Sequence, residues 1–241
     1  MSIAHGDRAL EPTVEEIVQA LTGSDQDAPL ASISSLPQTC ALCRLVTRSV
    51  IRGMRSFFVE FVNDPEARMH LRASRGFCGP HTEVAAATGD ALGIAILYAD
   101  LADLSSERLT FTKPRRTSFS LRIKPSKQQT AICPACTMQA EAEKRYTAAL
   151  AVALNASATE MQPWKALAEG EGLCVEHIER TASALTPEAA GKFSEMQVGK
   201  LNELKKELEE VIRKNDYRFR GEAWGEERDA WLRALNRLAR K

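Results

Sequence analysis

All six cysteines of this chain fall into four short groups, and these groups include two of its four histidines. Two groups have the form Cys-x-x-Cys and two have the form Cys-x-x-His, in alternation along the chain. The eight side chains are Cys40, Cys43, Cys78, His81, Cys133, Cys136, Cys174 and His177. Since no cysteine is left over, the way these groups meet is the strongest constraint on the fold.

The same two groups occur twice in the same order, which indicates an internal duplication. The second Cys-x-x-Cys pair follows the first by 93 residues, and the second Cys-x-x-His pair follows the first by 96. Neighbouring residues keep this offset, so that "RGFCGPH" aligns with "EGLCVEH". We therefore interpret the chain as two repeats, each with three cysteines and one histidine.

The segments between the groups predict helices. After Cys43, apolar residues recur at steps of three or four, which is the stripe of a helix that faces a core. Asp64 with Pro65, and Thr186 with Pro187, have the cap and first-residue preferences of helix starts. The one alternating stretch is "SFSLRIK" at 118–124. We expect an all-α, pseudo-symmetric helical bundle.

Composition divides this bundle into five predicted segments. They are an N-terminal helix and flexible arm at 1–36, the first repeat at 37–110, a basic linker at 111–131, the second repeat at 132–214, and a charged and aromatic strap at 215–241.

Cysteine and histidine in this pattern favour a metal site. Residues three apart share a face on the first turn of a helix, so each group can present two ligands to one ion. Three thiolates and one imidazole suit tetrahedral zinc, and four protein ligands leave no open position for a substrate. We therefore predict two structural zinc ions, with one site in each repeat.

Two questions about these sites stay open at the level of sequence. Cys40 and Cys43 can instead meet Cys174 and His177 in an exchange between the repeats, and the spacing does not exclude this pairing. An iron-sulfur cluster is the alternative cofactor, because three cysteines and one histidine can also hold iron. A switchable thiol site would likewise make the protein a redox protein, whereas a thioredoxin-like site would require a strand before the motif.

Two segments outside the cysteine groups are candidate binding surfaces. The linker has six basic residues and no acidic residue over 111–132, so a nucleic-acid contact is one interpretation and a solvated connector is the other. The candidate contacts there are Arg115, Arg116, Arg122 and Lys124. In the C-terminal strap, the candidate ligand or partner residues are Asp216, Tyr217, Arg218, Arg220, Glu222, Glu226, Asp229 and Trp231. The simpler interpretation of this segment is a terminal strap that docks on the bundle, with its arginine and glutamate side chains paired locally. From Glu226 onward the pattern predicts an amphipathic helix with Trp231, Leu235 and Leu238 on one face.

Charge and hydropathy favour a cytoplasmic protein. The chain has 32 basic and 32 acidic residues, no signal-peptide pattern and no apolar stretch long enough for a membrane span, so we expect no membrane partner. In a reducing cytoplasm grouped cysteines indicate metal or catalysis rather than disulfides. No nucleophile with a base and no nucleotide fingerprint supports an enzyme. We expect a binding or scaffold module with a protein partner.

Several longer motifs carry a family resemblance. They are "FVNDPEAR" before "GFCGPH", "GDALGIAILYADL", and "NDYRFRGEAWGEERDAW". With the two sets of cysteine groups, they resemble the bacterial family called domain of unknown function 6062, over nearly all of residues 38–235. The resemblance implies that the repeats and the strap form one unit, and it implies no activity.

Overall fold

The computed structural model describes residues 12–23, 39–108, 131–157 and 161–238. In these ranges the chain forms α-helices and short 3-10 helices and no strand, so the all-α prediction is confirmed. The α-helices are α1 (Val14–Thr22), α2 (Ala41–Glu60), α3 (Pro65–Ser74), α4 (Gly79–Thr88), α5 (Ala91–Arg108), α6 (Pro134–Ala156), α7 (Gln162–Glu169), α8 (Val175–Ala182), α9 (Pro187–Lys214) and α10 (Ala230–Leu238). The alternating stretch at 118–124 lies outside the described residues.

The helix starts follow local capping chemistry. The Asp64 carboxylate accepts a hydrogen bond from the Ala67 N–H at 2.8 Å, and Pro65 is the first residue of α3. At the start of α9, the Thr186 hydroxyl accepts a hydrogen bond from the Ala189 N–H at 3.4 Å. Both predicted caps are confirmed, because capping depends only on residues within one turn.

The described chain divides into two compact units whose boundaries fall inside α2 and α6. The smaller unit contains 49–108 and 131–140, and the larger unit contains 12–23, 39–48, 141–157 and 161–238. These units do not coincide with the two predicted repeats, since each unit takes residues from both. The duplication and its pseudo-symmetry remain predictions from the sequence.

The larger unit has a continuous apolar core. Trp164 is fully buried, and its indole N–H donates to the carbonyl oxygens of Leu154 and Ser157 at 3.2 Å. The Tyr146 hydroxyl donates to the Glu16 carboxylate at 3.0 Å and so links α6 to α1. The other large core side chains include Ile17, Leu42, Leu45, Leu150, Leu154 and Phe193. This core lies directly beside Cys40, Cys43 and Cys174, which belong to the same cluster.

The smaller unit is built around three phenylalanines. The rings of Phe57, Phe58 and Phe77 meet edge to face, with centroids 5.9 to 6.0 Å apart. Arg72 of α3 forms a two-pronged ion pair with Asp100 of α5, in which its Nε donates at 2.6 Å. Phe77 immediately precedes Cys78, so the aromatic cluster supports the start of α4.

The C-terminal segment does not pack as its apolar pattern predicts. Trp231, Leu235 and Leu238 are each about half exposed, with 50 to 52% of their surface accessible. The buried face of α10 is instead formed by Ala230, Asn236 and Arg237. The apolar stripe is therefore not the buried face of α10, because Asn236 and Arg237 find hydrogen-bond partners inside the larger unit. None of the helices in the described ranges combines the length and apolar character that a membrane crossing requires.

Candidate metal centres

Each of the four cysteine groups lies at the N-terminus of a helix. Cys78 and Cys174 are the N-cap residues of α4 and α8, and neither side chain is used to cap its helix. The carbonyl oxygens of Cys40 and Cys133 accept the first backbone hydrogen bonds of α2 and α6. The second residue of every group lies three positions on, in the first turn. Both side chains of each group can therefore point toward the same metal position.

This placement favours the ionised thiol. The first turn of a helix has unpaired N–H groups and a partial positive charge, which together stabilise a thiolate. Because two helix starts meet at each centre, the local backbone favours the form of cysteine that binds a metal.

The first group of four, centre I, lies in the larger unit and consists of Cys40, Cys43, Cys174 and His177. The Nδ1 atom of His177 lies 3.4 Å from the sulfurs of Cys40 and Cys43 and 3.1 Å from that of Cys174. The Cys43 and Cys174 sulfurs are 3.8 Å apart. All four residues are buried.

The second group, centre II, lies in the smaller unit and consists of Cys78, His81, Cys133 and Cys136. The Nδ1 atom of His81 lies 3.1 Å from the Cys78 sulfur, 3.4 Å from the Cys136 sulfur and 3.9 Å from the Cys133 sulfur. The Cys78 and Cys136 sulfurs are 3.6 Å apart. Cys78 and Cys136 are half-buried, so centre II is the more accessible of the two.

The predicted pairing of one site per repeat is wrong, and the exchanged pairing is the one found. Each Cys-x-x-Cys group meets the Cys-x-x-His group of the other repeat. Helix length gives the reason. At about 1.5 Å per residue, the 20 residues of α2 extend about 30 Å, whereas the 10 residues of α3 extend about 15 Å. In the second repeat, α6 has 23 residues and α7 has 8. Each shorter helix is therefore too short to return the chain along the full length of the longer one.

Both groups have the dimensions of a single tetrahedral ion. A zinc ion with Zn–S bonds of about 2.3 Å holds its sulfur ligands about 3.8 Å apart. The sulfur pairs measured here, at 3.8 and 3.6 Å, agree with that spacing. In each group, all four ligand atoms lie within 4.8 Å of one another. The eight predicted ligands thus form two sets that can each hold one metal ion.

In the absence of a metal, the side chains of centre I differ in the direction of their pKa shifts. Burial raises the pKa of Cys40, but hydrogen bonds with Cys174, Cys43 and His177 outweigh burial and lower this pKa well below its ordinary value. The pKa of Cys43 rises, because its contacts with the other two sulfurs and its burial favour the neutral thiol. Burial alone would lower the pKa of His177, but its contacts with Cys174 and Cys40 raise it to about 10. A metal ion must displace protons from Cys43 and His177.

Centre II likewise has one cysteine with a lowered pKa and one with a raised pKa. Burial raises the pKa of Cys133, but hydrogen bonds with His81 and with backbone N–H groups lower it to about 6. Burial and the contact with Cys78 raise the pKa of Cys136 to about 12. The pKa of His81 is raised by its hydrogen bond with Cys133, against the effect of burial. One thiolate is therefore ready for a metal at neutral pH.

Centre I also has polar neighbours that the sequence did not reveal. The side-chain amide oxygen of Gln197 accepts a hydrogen bond from the Leu173 N–H at 3.0 Å, directly before Cys174. Arg237 is buried, and its Nε donates to the Leu173 carbonyl oxygen at 3.3 Å. Burial lowers the pKa of Arg237, although the nearby Glu171, Cys40 and Cys174 favour its charged form. Nothing in the sequence around Arg237 distinguishes a buried arginine from a solvent-exposed one.

Half of the eight candidate partner residues of the strap form local ion pairs. Asp216 pairs with Arg218 at 2.7 Å, and Glu222 pairs with Arg213. Asp229 accepts a hydrogen bond from the Arg233 Nε at 3.0 Å. The remaining candidates, Tyr217, Arg220, Glu226 and Trp231, are exposed. The linker candidates Arg115, Arg116, Arg122 and Lys124 lie outside the described residues.

Comparison with known proteins identifies one family. Residues 165–241 match the model of a family of unknown function (DUF6062). The matched segment is about a third of the chain and contains α8, α9 and α10 with Cys174 and His177. It confirms the family resemblance over this segment. No curated protein and no solved structure matches the chain.

Proposed function

We propose that the protein is a zinc-binding helical module that holds two structural zinc ions, one in each centre. The observation that carries this proposal is the convergence of three sulfurs and one imidazole nitrogen, from two separate helix starts, in each of two groups. Four protein ligands complete a tetrahedral shell, which is typical of zinc that stabilises a fold.

The spacing of the ligand atoms supports one ion over an iron-sulfur cluster. A cluster distributes its protein ligands over several iron atoms, which separates the sulfurs further than a single ion does. All ligand atoms of a centre here lie within 4.8 Å of one another. Nitrogen and sulfur ligands in tetrahedral positions suit zinc.

Metal analysis of the full chain, purified without oxygen, tests the proposal. We expect two zinc ions per chain and no absorption in the visible range. Substitution of zinc by cobalt should produce the strong visible bands of a tetrahedral thiolate site. Stoichiometric iron with a brown colour would instead identify the redox alternative, and a chain without bound metal would refute both.

We further propose that the module acts in the cytoplasm as a scaffold for a protein partner. None of the six cysteines in the described residues forms a disulfide, which suits a reducing compartment. The exposed Tyr217, Trp231 and Leu235 are side chains of the kind that anchor protein interfaces. The basic linker makes nucleic acid the competing partner. The dependence of binding on salt concentration distinguishes a nucleic-acid partner from a protein partner. Binding through phosphates weakens steeply with salt and with neutralisation of Arg115, Arg116 and Arg122.

A further inference from the structure

The buried face of α10 contacts the residues that immediately precede two ligands of centre I. The Thr39 hydroxyl donates to the Asn236 side-chain oxygen at 3.4 Å. The Arg237 Nε donates to the Leu173 carbonyl oxygen at 3.3 Å. Thr39 and Leu173 each immediately precede a cysteine of this centre. Two consecutive residues of α10 therefore bind the residue just before the first ligand on each side of the site, one through a side chain and the other through the backbone.

Arg237 is the one buried arginine within the described ranges, with 3% of its surface exposed. Its Nη2 atom has no hydrogen-bond partner, and no carboxylate of the described residues lies within ion-pair distance of it. The backbone makes room for it at Gly172, which has a φ of +88° and where a Cβ would lie 2.6 Å from that Nη2 atom. A buried cation without a counterion is costly.

Centre I supplies that counterion when it holds a metal. Three thiolates around a divalent ion have a net charge of minus one, and Cys40 and Cys174 join Glu171 in favouring the charged form of Arg237. We propose that α10 is a latch on centre I, in which Arg237 neutralises the metal-thiolate complex and, with Asn236, holds the residues that precede Cys40 and Cys174. This inference rests on the proposed zinc site.

With this latch, centre I retains its metal more tightly when α10 is docked. In turn, α10 docks more tightly when the metal is bound. Linkage requires that the two effects be equal in free energy. Centre II serves as an internal comparison, because Arg237 belongs to the larger unit and donates next to Cys174. Loss of the latch should therefore affect one of the two ions.

Zinc release from the full chain tests this dependence. The zinc-loaded protein is challenged with a chromogenic chelator, and the release of each ion is followed over time. Arg237→Met should speed release of one ion by about 10- to 100-fold, the usual cost of losing an outer-shell partner. Arg237→Lys keeps the charge but not the fork of donors, so its effect should be smaller. The matched control is Arg228→Met, at an exposed arginine of the same segment, which should release both ions at the wild-type rates.

The outcomes separate the latch from the zinc site. Two zinc ions that leave Arg237→Met at wild-type rates would overturn the latch while the proposed function stands. An equal acceleration in Arg237→Lys and Arg237→Met would overturn the role of charge. A wild-type chain without metal would overturn the proposed function itself.

Hydrogen exchange provides a readout that does not need an Arg237 variant to fold. Amides of α10 should lose protection in Cys40→Ser, which disables centre I. They should keep protection in Cys136→Ser, which disables centre II. Unchanged protection in both variants would overturn the latch.

Discussion

Each of the eight cysteine and histidine side chains lies in one centre only, so the exchanged pairing can be tested with double substitutions. Cys40→Ser with Cys174→Ser removes two ligands of centre I, and we expect a chain that keeps one zinc ion. Cys40→Ser with Cys78→Ser removes one ligand from each centre and should weaken both ions. Metal analysis after mild chelation distinguishes the two results. The opposite pattern would support one site per repeat.

Proton release should accompany metal binding at centre I. The pKa of His177 is about 10 and that of Cys43 is raised, so both hold protons at neutral pH until the metal displaces them. Fewer competing protons remain as the pH rises. The apparent zinc affinity should therefore increase with pH below the His177 pKa, by about 100-fold per pH unit for two protons released. Competition with a chelator between pH 6 and 8 measures this slope, and a flat profile would contradict it.

At the scale of helices, the end of α7 approaches α1 more closely than a side chain permits. A Cβ at Gly170 would lie 2.3 Å from the backbone carbonyl oxygen of Leu21. Gly170→Ala must push these two segments apart, and we expect a loss of about 1 to 3 kcal/mol in the free energy of unfolding. Thermal or denaturant unfolding of the zinc-loaded chain measures it.

Gly199 is the matched control for this prediction. It lies exposed within α9, and a Cβ there would have no neighbour within 4 Å. Gly199→Ala should raise the free energy of unfolding by about 0.5 to 1 kcal/mol, because glycine is a poor helix residue. Equal effects of the two substitutions would show that helix propensity, and not the approach to Leu21, decides the result at Gly170.

The helices themselves also show how far the sequence was informative. The caps at Asp64 and Thr186 and the placement of cysteines in first turns were predictable, because they depend on residues within one turn. The pairing of the centres was not, since it depends on how far α3 and α7 return along α2 and α6. The buried face of α10 was not predictable from the apolar stripe, because Asn236 and Arg237 are buried through hydrogen bonds to distant parts of the chain.

For the whole molecule, the metal ions should contribute a large part of the stability. A structural zinc site contributes about 10 to 16 kcal/mol of apparent binding free energy, as much as the total stability of many domains. A strong chelator should therefore lower the melting temperature and reduce the helical signal in circular dichroism. Re-addition of zinc should restore both. A chain that melts unchanged after complete metal removal would contradict a structural role.

The two centres should stabilise different parts of the chain. Centre II lies in the smaller unit and centre I in the larger one. Cys133→Ser with Cys136→Ser should increase hydrogen exchange in α3 to α5 and leave α7 to α9 protected, whereas Cys40→Ser with Cys43→Ser should do the reverse. Loss of protection throughout the chain in either variant would show that the units unfold together.

The exchanged pairing also bears on how such a chain can arise. One repeat alone contains a Cys-x-x-Cys group and a Cys-x-x-His group that do not meet each other. Two separate copies of a single repeat would complete both centres by contributing one group each to the other, in a symmetric dimer. If the halves derive from duplication, the fusion of two such copies converted an association between molecules into a connection along one chain. Each half of the present chain contains the ligands that the other half needs.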